Sequence, residues 1–596
     1  MSEKKWLFAA LFLNILIING VVLAVMNLRY PLIGHDYTLA LPSLLDTALH
    51  YRLNGLTIQW FTPTFGGGIP VFPNPNNMQF SIPTFLAVIL PPWDAMLVST
   101  VLYVAGGFMA CFYFFNKTLG LHWTSSILGA VFFSANGFAI TRIATGQVGY
   151  LSFTLLAIFL IVFLDKKISV QMAAPMMGIL LAMYIHSGGY FIIIIFGLSI
   201  LMSLPMIYLY KPELFDWKRF AVTLAGGGTI GLVIALSKLT ATFSFMRFFP
   251  RLVADNSPSP FVIGLLGILL QLLGTQNLVP LFLLGGLDPV NYPNFTRGAT
   301  GTSYGMWELD TSVTPVVFII LIIALVRLLR GTQRPAFRLN DRSIKLAVFC
   351  LFFFIWLAIE FSLGKGLVYP ALKNLPILSS LRGNVRFVGA FIFPLALSAA
   401  IIYNKWIAGF DRLKQWRTFL AVNALAILPL SSYFLFKQDM LWMFYDVRVP
   451  QGIFEEIRAG ESFEITEIGT PPGHNTGALL YRTSNLNLYE PVFGFELENF
   501  HPRVQPGSIW SITDDRYNMT DPTGFVYPEL NGNQPFDRFR KDDKETMQLF
   551  VKHLQPEWKI PVYQRMVNWI SLTAMFITLI YLTIQTRLHA TRAITA

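Results

Sequence analysis

The sequence is poor in charge and poorer in cysteine. Only 13% of its 596 residues are Asp, Glu, Lys or Arg, about half the share found in ordinary soluble proteins. A solvated surface cannot be built from that mixture, which excludes a string of soluble domains and a disordered chain alike. The two cysteines, Cys111 and Cys350, each lie inside an apolar run, so neither a disulfide framework nor a Cys-based metal site is available. Nucleotide signatures are also missing. Gly66-Gly67-Gly68 follows a Pro/Thr stretch and Gly226-Gly227-Gly228 lies in an apolar helix, whereas a phosphate-cradling loop joins a strand to a helix. In the second run, with Gly231 close behind, small residues let two helices approach. Asp514-Asp515 and the scattered His474, His501 and His553 match no zinc or calcium spacing and read as solvated turns, with no metal assigned.

Apolar residues are what the chain has in abundance: 54% hydrophobic and 15% aromatic, with a mean hydropathy of +0.54. A helix needs about twenty apolar residues to cross the hydrocarbon core. Stretches of that kind fall near 6–28, 95–115, 124–141, 147–164, 170–186, 189–210, 220–240, 313–330, 345–362, 386–403, 417–436 and 566–586. The fold class expected is an α-helical polytopic membrane protein with about twelve transmembrane helices. The first stretch follows Lys4-Lys5 and has no small-residue cleavage site, so it reads as a retained anchor.

The net charge of +11 then becomes a topological signal. With the N-terminus cytoplasmic, alternate connections collect about 20 Lys and Arg against about 6 acids, leaving about −3 for everything else. Both termini are expected in the cytoplasm, and no basic stripe is left for nucleic acid. The long connections, 29–94, 241–312 and a shorter one at 363–385, then face outward. So does 437–565, which is rich in Asn, Asp, Glu, Pro and Gly and is expected to form a small extracytoplasmic domain with β-strands, from short alternating runs at 463–468 and 478–482. The organisation expected is a transmembrane module over 1–436, the domain 437–565, and a last helix with its tail over 566–596. Function is sought on the outer face.

The first outer loop carries the strongest candidate. His35-Asp36-Tyr37 comes directly after the first helix and precedes an apolar segment, 39–53, suited to lie as an interfacial helix. A partly desolvated carboxylate at a membrane surface can accept a proton from a hydroxyl as general base; the competing reading is that Asp36 caps the following helix. Arg382 and Arg386, spaced i, i+4, are suited to grip a phosphate or to pair with Glu360 or anionic headgroups. Lys238 at the end of helix seven competes for the phosphate role. Glu360 is an acid within an apolar helix, a functional candidate by default, or a structural partner of a nearby Arg or Lys365. His186, before Gly188-Gly189, can bond a sugar or phosphate oxygen or sit as a structural histidine.

The His35-Asp36-Tyr37 placement resembles the GT-C class of integral-membrane glycosyltransferases. The stretches 53–56, Trp60-Phe61-Thr62-Pro63, Phe65-Gly66-Gly67-Gly68-Ile69-Pro70 and Asn76-Asn77-Met78-Gln79 are similar to its YfhO-like branch. So are Ala135-Asn136-Gly137-Phe138 through Gly146-Gln147, His186-Ser187-Gly188-Gly189-Tyr190 and Leu381-Arg382-Gly383-Asn384-Val385-Arg386-Phe387. The chain departs from that branch in having His-Asp where many relatives have paired acids. The resemblance implies a GT-C fold in the cytoplasmic membrane of a bacterium. It implies inverting transfer of a sugar from a polyprenyl-phosphate donor to a glycan, lipid or protein acceptor, with Asp36 as base and Arg382, Arg386 and Lys238 at the phosphate. His35, Tyr37, His186, Glu360, Asn76 and Gln79 are the further candidates for substrate contact. No cofactor is expected, because a lipid monophosphate can leave against arginines alone; divalent metal stays open. The alternatives are a lipid-linked saccharide translocase and a surface-polysaccharide polymerase or ligase.

Overall fold

The computed structural model describes the chain apart from residues 1–2, 29–30, 250–260, most of 289–304, 330–340, 363–365, 376–383, 472–476, most of 488–499 and a few single positions. Among the described residues, eight helices are long and apolar enough to cross a membrane. A ninth is counted if Trp123–Ser134 and Gly137–Thr145, bent by 44°, form one span. The protein is therefore a polytopic helical membrane protein. Three of the expected spans are present as shorter apolar helices, Val148–Leu164, Val170–His186 and Pro315–Arg327, the first opening with a 3-10 stretch, Val148–Leu155.

The stretch 241–312, read from sequence as a loop, holds an apolar helix, Phe261–Leu284, broken at Gly274 (φ 45°, ψ −157°). Its central Gly274-Thr275-Gln276-Asn277 interrupts the apolar run and hides the span from a count of contiguous apolar residues. That interruption packs on another. The Gln276 amide donates to the Ala135 carbonyl at 2.8 Å, at the bend between Trp123–Ser134 and Gly137–Thr145. Asn277 donates to the Val313 carbonyl at 2.8 Å, and the Gly137 amide donates to the Ser312 carbonyl at 2.8 Å. The backbone groups freed at the two breaks are thus met inside the protein, by the Gln276 side chain and by the 311–313 segment, whose Thr311 and Val313 amides donate to the Gln271 and Leu272 carbonyls, the condition on which non-helical backbone is tolerated at membrane depth.

Helix Trp217–Met246 lies against Val170–His186 as its glycines predict. A methyl group on Gly227 would stand 2.6 Å from the Met177 side chain, and one on Gly178 would stand 2.5 Å from Ile230.

The C-terminal region is built on the first loop. Leu32–Ile33 pairs antiparallel with Met443–Phe444. Helix Arg448–Ala459 sets Ile453, Phe454 and Ile457 against Leu45 and Leu49 of helix Tyr37–Asn54. The latter helix, expected at a lipid interface, is largely buried under protein. Glu467–Gly469 pairs in parallel with Thr483–Asn485 and antiparallel with Gly507–Ser508. Ile512–Thr513, Arg516–Thr520 and Arg538–Arg540 make a second sheet, and Asp514-Asp515, both at positive φ, form a two-residue hairpin turn in it. The strand expected at 478–482 is instead the helical turn Gly477–Leu480, because Leu479 packs with Ile453 and Phe463.

Gly66-Gly67-Gly68 supplies close approach. This turn, between Phe61–Thr62 and Ile69–Pro70, is threaded into the C-terminal region. The Gly66 amide donates to the Asn485 carbonyl at 2.8 Å, and the Thr520 amide donates to the Gly67 carbonyl at 2.9 Å. All three glycines have positive φ, and Cβ atoms there would meet Phe500, Val504 and Phe550, so no other residue fits.

Candidate active site

Asp36 occupies the N-terminal boundary of helix Tyr37–Asn54, but its side chain makes no capping bond. Its backbone is already helical (φ −73°, ψ −14°), whereas a capping side chain reaches the free amides from an extended backbone. The carboxylate lies beside its neighbour instead, with Oδ1 3.0 Å from His35 Nε2 and the two side chains 18% and 15% exposed. The loop is pinned from below by the end of helix Gly137–Thr145. The Asp36 amide donates to the Thr145 carbonyl at 3.0 Å and the Tyr37 hydroxyl donates to the Ile143 carbonyl at 2.6 Å. Glycine is required on both sides of this contact, since a Cβ on Gly34 would sit 2.3 Å from the Ala144 oxygen and one on Gly146 would sit 2.5 Å from the Tyr37 nitrogen.

The same helix end carries a buried charge cluster beside Asp36. The Trp307 ring lies 4.9 Å from the His35 ring, and the next residue, Glu308, is nearly buried. Arg386 grips Glu308 as a fork, Nε to Oε2 at 2.7 Å and Nη2 to Oε1, while its Nη1 donates to the Tyr150 hydroxyl at 3.1 Å. Arg142, fully buried, donates from Nη2 to Glu308 Oε2 at 3.3 Å and lies over the Phe138 ring. Gln147 Nε2 completes the shell at 3.3 Å from Oε1. Burial alone would raise the Glu308 carboxyl, but the guanidiniums of Arg386 and Arg142 overcome it and hold the group down to about 2, so Glu308 stays ionised. Asp310, two residues on, is pushed the other way by burial.

Glu360, the alternative partner for Arg386, does something else. Its carboxylate accepts the Leu367, Val368 and Tyr369 amides at 2.9, 3.0 and 2.9 Å and the Trp356 indole at 3.1 Å. It caps helix Val368–Lys373, where amides at a helix start stabilise a buried carboxylate. Arg382 and Lys365 lie outside the described residues. Arg386 itself sits in a 3-10 stretch, Asn384–Phe391.

The remaining candidates gather around the 72–80 loop. Lys238 donates to the Phe72 and Asn74 carbonyls, an arrangement that anchors this loop to the helix. Asn76 accepts from the Tyr190 hydroxyl at 3.3 Å and its backbone packs on Gly188. Gln79 ties the loop internally, donating to the Thr57 carbonyl at 2.7 Å and accepting the Gln59 amide at 3.1 Å. One His186 ring nitrogen lies 3.4 Å from the Ile234 carbonyl, and the ring packs edge-on to Phe80.

Three members of the charge cluster, Arg142, Gln147 and Glu308, escaped the sequence reading. Arg142 had the clearest signal, as an isolated arginine in an apolar helix, which is costly unless paired or functional. Glu308 was hidden in a stretch taken as loop.

No protein-family profile matches the chain, and no curated protein does. Among solved structures, the mycobacterial arabinofuranosyltransferase AftD is similar over 74% of this chain and 27% of its own, at 14% identity and a TM-score of 0.40. An Archaeoglobus fulgidus oligosaccharyltransferase is similar over 72% of this chain and 53% of its own, at 12% identity and a TM-score of 0.33. The chain thus spans about a quarter of the first protein and about half of the second. Likenesses of this size leave the activity to be argued from the site itself.

Proposed function

We propose that the protein is a membrane glycosyltransferase of the GT-C type, close to the YfhO-like branch, acting on the outer face of a bacterial cytoplasmic membrane with both termini in the cytoplasm. The observation that carries this reading is a carboxylate, Asp36, held at a helix start without being used as its cap, whose partner His35 meets, through Trp307, a cluster of one buried and one half-buried guanidinium. In the proposed reaction the acceptor hydroxyl gives its proton to Asp36 as its oxygen attacks the anomeric carbon. The bond from that carbon to the phosphate oxygen breaks, and its electron pair leaves on the polyprenyl phosphate. Attack opposite to departure inverts the centre. Arg386 and Arg382 carry the developing phosphate charge. His35 and Tyr37 orient the base and its helix. Lys238, Asn76, Gln79, His186 and Glu360 contribute by shaping the surrounding loops. The 437–565 region, bonded to the loop that carries Asp36, is suited to present the acceptor, whether glycan, lipid or protein. No metal is assigned to the reaction.

A saccharide translocase is the second reading, favoured by the two interrupted helices, a feature of transport sites. One assay separates them. With purified protein in lipid and a radiolabelled polyprenyl-phosphate sugar, Asp36→Asn is expected to lower sugar transfer by about 10²–10⁴-fold while the chain still binds polyprenyl phosphate. Transfer at the native rate by the variant overturns the assignment of Asp36, and lipid movement across the bilayer without any transfer product overturns the glycosyltransferase reading.

A further inference from the structure

Two guanidiniums, with side chains 0% and 21% exposed, are held by hydrogen bonds to a single carboxylate that is 8% exposed; the other acid that acts on Arg142, Asp310, accepts instead from the Ser312 amide, and a buried cation with one shared partner is costly. Donor capacity is also left over, because Arg142 Nε is buried without a hydrogen-bond partner among the described residues. Meanwhile the fork of Arg386 is filled by a carboxylate in the two-oxygen geometry that a phosphate would adopt. A sugar-linked lipid phosphate is a diester with the same single charge and two terminal oxygens as the carboxylate it would replace, so it fits the same fork, and the monoester formed when the sugar leaves carries a further charge and a further oxygen to which Arg142 Nε can donate.

We propose that Glu308 is an exchangeable placeholder: a lipid-linked phosphate takes its place on Arg386 and Arg142, and the displaced turn Met306–Leu309 draws Trp307 away from His35. Donor arrival thereby alters the surroundings of the His35–Asp36 pair before the acceptor is deprotonated. This rests on the glycosyltransferase reading for the identity of the donor. It makes Glu308 a positioning residue, acting through Arg386 and through its neighbour Trp307. Gln147, already donating to Glu308, passes its bond to the phosphate, and Tyr150 keeps Arg386 in place throughout.

The test uses the full-length protein in lipid nanodiscs, with sugar-free polyprenyl phosphate and inorganic phosphate as probes. Glu308→Gln, and Glu308→Asp in case the first fails to fold, are expected to bind polyprenyl phosphate about tenfold tighter than native protein, the size of a typical coupling between sites. Unchanged or weaker binding by the folded variants overturns the proposal. In a second arm, Met306→Cys is introduced with Cys111→Ala and Cys350→Ser, and alkylation of the buried position is timed. Polyprenyl phosphate is expected to speed it several-fold, and an unchanged rate overturns the exchange. If inorganic phosphate speeds alkylation and the lipid does not, the lipid source is overturned. Loss of sugar transfer as an activity, with tightening and faster alkylation intact, counts against the glycosyltransferase reading and leaves the exchange standing.

Discussion

At the scale of single residues, three acids in this chain meet different fates. Asp36 is released from capping because its backbone is helical. Glu308 is held ionised by two arginines. Glu360 accepts from three backbone amides and the Trp356 indole. Sequence placed Asp36 and Glu360 as candidates and was silent on Glu308, since nothing in a one-dimensional pattern says which amides or guanidiniums will converge on a carboxylate. The cap role of Glu360 predicts that Glu360→Gln, which offers one accepting oxygen in place of two, destabilises the protein by about 1–3 kcal/mol for each donor left unsatisfied. Thermal unfolding in detergent checks this, and a variant as stable as the native chain contradicts the cap.

At the scale of elements, the site depends on one contact between a loop and a helix end. The Asp36 loop rests on residues 143–146 through two hydrogen bonds and two glycines, and the same helix carries Arg142 into the charge cluster. A methyl group on Gly34 has backbone in its way, so Gly34→Ala must lift the loop. A displacement of about 1 Å costs a reaction about 10²-fold, and turnover in the labelled-donor assay is expected to fall by that order while the chain still folds. A rate within about threefold of native would show that this seat does not position the base. The expected helix at 39–53 was recognisable from its apolar run, whereas its burial under Arg448–Ala459 was not. An apolar face looks the same whether lipid or protein covers it. The broken helix Phe261–Leu284 escaped for a related reason, as polar residues that interrupt a span become acceptable only when other segments of the protein meet them.

At the scale of the whole molecule, the C-terminal region does not own its core. Trp60, Phe61, Phe65, Ile69 and Phe72 from the first loop, Phe245 from Trp217–Met246 and Phe249 just beyond that helix share one cluster with Phe500, Phe525, Phe539 and Phe550. The fragment 437–565 produced alone is therefore expected to lack cooperative unfolding and a dispersed amide spectrum; a well-dispersed spectrum would contradict the shared core. A polar node lies in the same joint. Asp46 accepts from Gln59 and Thr62 at 2.7 and 2.8 Å, and from Thr64, with His553 3.8 Å away. Burial holds His50 and His553 down to about 4 from the ordinary 6.5. Between those values the unfolded chain binds protons that the folded chain does not, so stability falls as the pH drops from neutral toward 4. Asp46, whose carboxyl burial pushes up, works in the opposite direction, one carboxyl against two imidazoles. The melting temperature is expected to fall between pH 7 and pH 5, less steeply in His553→Gln. A flat native profile would refute the neutral imidazoles.

Composition and apolar run length were enough to determine that this is a polytopic membrane protein, because the thickness of the bilayer is a fixed external ruler against which any helix can be measured. They also singled out Asp36 and Arg386, since charged groups near hydrocarbon need a reason to be there. Only the tertiary structure decided that Arg386 faces Glu308 rather than Glu360, that Arg142 joins them, and that the glycine turn at 66–68 threads the C-terminal region. Those outcomes depend on which distant segments meet, and pairing across hundreds of residues leaves no periodic trace in the chain.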